Sequence, residues 1–104
     1  MLPLTERGRR VRDLFAAFQA GRIDRAMFSE NFNAFLTDEM IREVAAGLSS
    51  AGPARRIVLE REDRRGGMVS YFWCIVCRDR RFKCTERLLP DGKIEEFLIR
   101  PALD

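Results

Sequence analysis

The sequence predicts an α+β domain in which three N-terminal helices are followed by a four-stranded antiparallel meander. Apolar residues recur at helical spacing as far as Leu48, and they alternate with polar residues after Pro53. Between these two regions lies the breaker segment Ser49–Pro53, which no regular element crosses easily. At 104 residues, with 46% hydrophobic and 34% charged residues, the chain has the size and composition of one globular core. We therefore treat residues 1–104 as a single domain.

Three helices are predicted before the break. The first runs from about Thr5 to Ala20, and Gly21 is its natural stop. Asp24 is the predicted cap of the second helix, and Thr37 is that of the third. Asp38 follows Thr37 in the first turn, where the helix dipole favours an acidic side chain. Each helix carries one apolar stripe: Val11, Leu14, Phe15 and Phe18; Phe28, Phe32, Phe35 and Leu36; Met40, Ile41, Val44, Ala45 and Leu48.

Four strands are predicted after Pro53, each bounded by turn residues. Their predicted ranges are Ile57–Glu62, Met68–Cys77, Phe82–Leu89 and Ile94–Ile99. The connecting turns are Arg65-Gly66-Gly67, Asp79-Arg80 and Pro90-Asp91-Gly92. The last is the strongest, because proline fixes φ and glycine supplies the left-handed position.

Several chemistries are disfavoured by what the chain lacks. It has no histidine, so a serine or cysteine triad and a mixed zinc site are both incomplete. Cys74 and Cys77 would point to opposite faces of a strand, and with Cys84 they are expected to be reduced core thiols. Gly66-Gly67 joins two strands and is no phosphate loop. We expect no metal and no cofactor.

The location is expected to be cytoplasmic, without a membrane segment. The longest apolar run, Met68 to Cys77, is too short to span a bilayer. The start MLPLTERGRR lacks the apolar stretch of a signal peptide.

The chain is basic, with a net charge of +3 that comes almost entirely from arginine. Nucleic-acid binding requires such charge to be gathered on one face. The clusters at 64–65 and 78–81 lie at opposite ends of one predicted strand, about 30 Å apart. Acidic residues are interleaved throughout, so the sequence favours a dispersed arginine surface and disfavours a nucleic-acid partner.

The element order and several turn motifs resemble small bacterial domains of the nuclear-transport-factor-two-like superfamily, which includes the SnoaL-like proteins. The resemblance is carried by Phe32–Leu36, Ala51-Gly52-Pro53, Pro90-Asp91-Gly92-Lys93-Ile94 and Ile99-Arg100-Pro101. It implies a cystatin-like fold in which a curved sheet wraps the helices into an open cone, often around a pocket. In that superfamily the outer sheet face often forms a homodimer, and the members include isomerases and cyclases.

The strand pattern places large apolar side chains on both faces of the sheet. If Asp79-Arg80 is a two-residue loop, one face carries Tyr71 and Trp73 with Glu86, and the other carries Phe72. A three-residue loop at Pro90-Asp91-Gly92 would add Phe97 to that second face. A sheet covered by helices on one side only should be polar on the other side. Because both faces are apolar here, we expect the face that the helices leave uncovered to meet a second copy of the chain. The alternative is that the helices and the C-terminal tail cover more of the sheet.

The function predicted from these features is that of a non-catalytic domain which homodimerises through its sheet and holds a small apolar ligand in the cone. Tyr71, Trp73, Glu86 and Phe97 are the candidate pocket or interface residues. The alternative is a small acid–base isomerase or cyclase in which Glu86, opposite Trp73, is the base and Tyr71 stabilises an oxyanion. Against it, Glu86 could simply pair with an arginine, so no catalytic residue is assigned and enzymatic activity is left open.

Overall fold

The computed structural model describes residues 6–102 and confirms the predicted α+β order of three helices followed by a four-stranded meander. The helices are α1 (Glu6–Ala20), α2 (Glu30–Phe35) and α3 (Asp38–Leu48). The strands are β1 (Arg56–Arg65), β2 (Met68–Val76), β3 (Arg81–Leu88) and β4 (Ile94–Pro101). They form one antiparallel sheet in the order β1-β2-β3-β4.

The predicted end of α1 and the predicted start and end of α3 are confirmed, whereas the second helix differs; Thr5, the predicted start of the first helix, lies outside the described residues. Gly21 ends α1 with a φ of +70°, and Thr37 caps α3 by accepting a hydrogen bond from the Met40 N–H. The predicted second helix is interrupted, because Asp24 caps only a short 3-10 turn at Arg25–Met27. Phe28 is extended and bridges β4, and α2 begins only after Ser29, whose side chain accepts from the Phe32 N–H.

The β2–β3 hairpin has a different register from the predicted one. Val76 pairs with Arg81, and the Cys77 N–H donates to the Arg80 carbonyl, so the loop is Arg78-Asp79 and the predicted Asp79-Arg80 loop is wrong. The error is two residues in register, which leaves the assignment of β2 and β3 side chains to the two faces unchanged. It moves Glu86, however, from its predicted position opposite Trp73 to a position opposite Tyr71.

The predicted face of β4 is wrong, and a β-bulge is the reason. The Pro90-Asp91-Gly92 loop forms as expected, with Leu88 pairing with Ile94, but Arg87 pairs with Glu96, so that Glu95 is an extra residue. An inserted residue turns every following side chain to the other face. Phe97 and Ile99 consequently lie on the same face as Glu86, not on the opposite face.

The core lies between the helices and one face of the sheet, which we call the covered face. Its centre is a set of phenylalanine rings from the helical region against rings from the sheet. Phe18 stacks on Phe97 with ring centroids 5.6 Å apart, and Phe15 packs on Phe82 at the same separation. The other face of the sheet, which we call the open face, carries Phe72, Cys74 and Val76 of β2, Lys83, Thr85 and Arg87 of β3, and Leu98 of β4. Helix α2 borders this face at the β4 edge, where Phe35 and Leu98 line one pocket.

Candidate functional site

The four predicted site residues come together, but inside the core. Tyr71, Trp73, Glu86 and Phe97 all lie on the covered face and are buried. Tyr71 is directly across from Glu86 on the neighbouring strand, and Phe97 is across from Glu86 on the other side. The sheet itself therefore separates these residues from the open face.

Glu86 is a fully buried carboxylate, and each of its two oxygens accepts a hydrogen bond. Its Oε2 accepts a hydrogen bond from Arg10 Nη2 at 2.9 Å, and its Oε1 accepts one from Trp73 Nε1 at 3.2 Å. Arg7, one turn earlier on α1, places its guanidinium 4.3 Å from the centre of the Tyr71 ring. Both arginines come from the helix, so this cluster attaches the start of α1 to the sheet.

A general base must reach the proton it removes, directly or through one water. Glu86 has no exposed surface and both of its oxygens have donors, so its geometry is that of a structural ion pair. The acid–base alternative thus gains no support from the arrangement of these residues.

Aromatic rings occupy the space in which an apolar ligand was expected. Phe28 lies 6.2 Å from Phe18 and 5.3 Å from Phe32, which continues the cluster from Phe97 toward α2. The pockets of about 170–530 Å³ that we describe lie at the surface, and none of the four is lined by Tyr71, Trp73 or Glu86.

The three cysteines are buried, free thiols on different parts of the sheet. Cys74 is on the open face and Cys84 on the covered face, and residues 6–102 contain no group of three or more metal-ligating side chains. Burial raises the pKa of the Cys77 thiol and raises that of Cys84 well above its usual value. A raised pKa leaves less of the reactive thiolate at a given pH.

We expect the native protein to resist alkylation. With iodoacetamide at pH 8, intact-mass measurements should show little labelling over minutes, whereas all three cysteines should react in guanidinium chloride. Rapid native labelling of Cys77 or Cys84 would contradict the burial described here.

The apolar strip on the open face is covered largely by long side chains of the sheet itself. Arg61 stacks its guanidinium 4.1 Å from the centre of the Phe72 ring. Lys83 Nζ reaches across β2 to both oxygens of Glu60 at 2.8 Å. Such side chains bury their methylene stems on apolar surface and keep their charges in water. Val58 and Leu98 remain 37% and 40% exposed at the two edge strands.

The structure brings together two arginine clusters, at 55–56 and 78–81, that lie far apart in the sequence. Arg56 and Arg81 flank Val76 from the two neighbouring strands, and the Arg55 N–H donates to the Val76 carbonyl. The hairpin loop adds Arg78 and Arg80 at the same end of the sheet. We call this set the arginine end; its members are Arg55, Arg56, Arg78, Arg80 and Arg81.

The signal for this convergence was present in the sequence but was not used. In an antiparallel hairpin the first residues of β1 must lie beside the last residues of β2, which brings 55–56 to 78–81. The 30 Å separation considered earlier concerned a different pair of clusters, 64–65 and 78–81.

Comparison of the chain with protein-family models, with curated proteins and with solved structures finds no match. The resemblance to the nuclear-transport-factor-two-like superfamily therefore stays a prediction. Over residues 6–102, no helix has both the length and the apolar character needed to cross a membrane.

Proposed function

We propose that this protein is a non-catalytic interaction domain that homodimerises through the open face of its sheet. The observation that carries the proposal is the apolar strip running across this face. Half-buried Phe72 and Val76 lie on β2, and the exposed side chains of Val58 and Leu98 lie on the edge strands to either side. A ligand inside the cone is not part of the proposal, because rings fill that space.

The dimensions of the open face suit an interface at the small end of the stable range. Four strands of about eight residues cover roughly 19 Å by 27 Å, a projected area of about 500 Å². Corrugated side chains increase the accessible area toward the ~800 Å² per partner of a standard interface. We expect a dissociation constant in the micromolar range, since the long charged side chains that lie over the apolar strip must be partly rearranged.

The charges on the open face select the orientation of the second copy. The carboxylates Asp63, Glu60 and Glu96 are each paired with a basic side chain of the same protomer, respectively Arg65, Lys83 and Arg87. A twofold axis parallel to the strands would stack one arginine end on the other. An axis perpendicular to the strands, in the interface plane, instead keeps the two arginine ends apart and avoids this contact between like charges.

Two neighbouring residues of β1 provide a matched test. Val58 points to the open face and Leu59 to the covered side of the sheet, and both are more than a third exposed. In sedimentation equilibrium at 10–100 µM, roughly the range for a micromolar dimer, the unmodified protein should show a monomer–dimer equilibrium. Val58→Lys should weaken the dimer about tenfold or more, because it buries an unpaired charge, whereas Leu59→Lys should leave the dimer unchanged.

A monomer at the highest of these concentrations would overturn the proposal. Equal weakening by both substitutions would also count against it, since that result would indicate a general effect of added charge on β1. Thermal unfolding of both variants shows that the comparison is made between folded proteins.

A further inference from the structure

The arginine end concentrates more positive charge than the whole chain carries. Among residues 6–102 it contains five arginines and a single carboxylate, Asp79, for a net charge of +4. The chain as a whole has a net charge of +3, so the remaining residues together carry −1. This distribution is the gathered charge that a polyanion-binding surface requires.

The positions of these arginines form a continuous rim around the end of the sheet. Arg56 and Arg81 stand on strands two spacings apart, about 10 Å between Cα atoms, and the 78–79 loop extends beyond the end of β2, the strand between them. A pocket of about 430 Å³ opens at this rim, lined by Val76 to Arg81 together with Pro101 and Ala102. Within residues 6–102, no ion pair engages Arg55, Arg56, Arg78 or Arg80.

We propose that the arginine end binds the sugar–phosphate backbone of a nucleic acid. Guanidinium groups present paired N–H donors that match phosphate oxygens bidentately. A duplex carries one charge per ~1.7 Å of its axis, whereas even a fully acidic extended peptide carries one per ~3.3 Å. Five arginines within one rim are better matched by the denser ligand.

The contact is to phosphates and not to bases. Proteins that hold single strands by stacking present open aromatic rings. Here Arg80 lies 4.8 Å from the centre of the buried Phe82 ring, and Arg61 lies over the Phe72 ring. Binding is therefore independent of base sequence and strongly dependent on salt.

This site does not rest on the proposed dimer. The rim shares Val76 with the apolar strip, but the central row in which Phe72 and Leu98 face outward lies further along the strands. A monomeric protein would bind by the same arginines, so failure of the dimer and failure of the nucleic-acid site are separate results.

The test is fluorescence anisotropy with a labelled 20-base-pair duplex of mixed sequence and with its labelled single strand. With about four phosphates neutralised, the affinity for the duplex should fall roughly 100-fold between 50 and 200 mM salt. Arg56→Gln combined with Arg78→Gln should weaken binding about tenfold at 50 mM salt and lower the logarithmic salt slope by about 2. A second duplex of unrelated sequence should bind equally well.

A matched control removes the same charge elsewhere. Arg9→Gln combined with Arg42→Gln alters exposed arginines of α1 and α3 and should change the affinity less than about twofold. Equal loss in the two double variants would overturn the proposal, as would absence of binding at 50 mM salt or binding that ignores salt. Displacement of the duplex by polyglutamate as effectively as by unlabelled DNA, at equal charge, would assign the site to acidic proteins instead.

Discussion

Replacing Arg10 by methionine should destabilise the protein by about 3 kcal/mol, because it leaves the Glu86 carboxylate buried without its charge partner. Breaking a buried ion pair from one side generally costs ~3–5 kcal/mol. We take the lower end since the Arg10 side chain is 33% exposed and water reaches part of the pair. For a domain of this size the midpoint of thermal unfolding should fall by about 12 °C or more, measured by circular dichroism.

Two further variants separate the charge from the packing. Arg9→Met removes an exposed arginine from the same helix and should change the stability by less than about 0.5 kcal/mol. Adding Glu86→Gln to Arg10→Met neutralises the buried group while its amide oxygen still accepts from Trp73. The double variant should therefore recover at least about half of the loss. A double variant no more stable than Arg10→Met would show that the charge of Glu86 is not the cause.

Truncating Phe18 to alanine should cost about 3–5 kcal/mol, the usual loss when a buried ring leaves a cavity. Phe18 stacks on Phe97 and also contacts Phe28, so its ring joins α1, the sheet and the segment before α2. This loss is a large share of the ~5–15 kcal/mol that typically holds a domain together. Urea unfolding followed by fluorescence of the single tryptophan would measure it.

The same substitution tests whether the core between the helices and the sheet is filled. A dry cavity lined by aromatic rings binds benzene, and so benzene should raise the melting temperature of Phe18→Ala but not that of the unmodified protein. If the alanine variant fails to fold, the effect of benzene can be measured on Phe18→Leu, which is a smaller truncation. Phe35→Ala is the exposed control, since Phe35 is 52% exposed, and it should lose less than about 1 kcal/mol. Benzene stabilising the unmodified protein would show that the interior already holds a cavity.

Local sequence signals determine most of the elements of this fold. Gly21 and Thr37 were correct boundaries because an αL stop and a side-chain cap depend on residues within one turn. The Gly66-Gly67 turn was equally secure, since both residues have positive φ and connect strands whose apolar alternation is clear.

The errors arose where distant residues decide the local structure. The bulge at Glu95 coincides with the attachment of the 28–29 segment: Ser29 donates its N–H to the Ile94 carbonyl and its hydroxyl to the Glu95 carboxylate. Nothing in 94–101 indicates this contact, and one inserted residue was enough to misplace Phe97. The split of the second helix at Phe28 has the same cause.

The shared face of three candidate residues could be read from the sequence, but their role could not. Alternation places Tyr71, Trp73 and Glu86 on one face whether the hairpin register is right or shifted by two residues. The partner of Glu86 is Arg10, 76 positions away, and one arginine among seventeen cannot be selected from spacing alone.

Every strand of the meander pairs only with its neighbours in sequence, and this has a consequence for the order of folding. Three hairpins can close over short loops at low entropic cost, whereas docking α1 must join residues separated by most of the chain, as Arg10 and Glu86 are. During synthesis the helices leave the ribosome before the strands that cover their phenylalanines exist. At ~5–20 residues per second, the roughly fifty residues that follow take several seconds to appear. For that interval Phe15 and Phe18 face solvent or a chaperone. The nascent chain is therefore exposed to aggregation through its helical half until the strands have been synthesised and cover these rings.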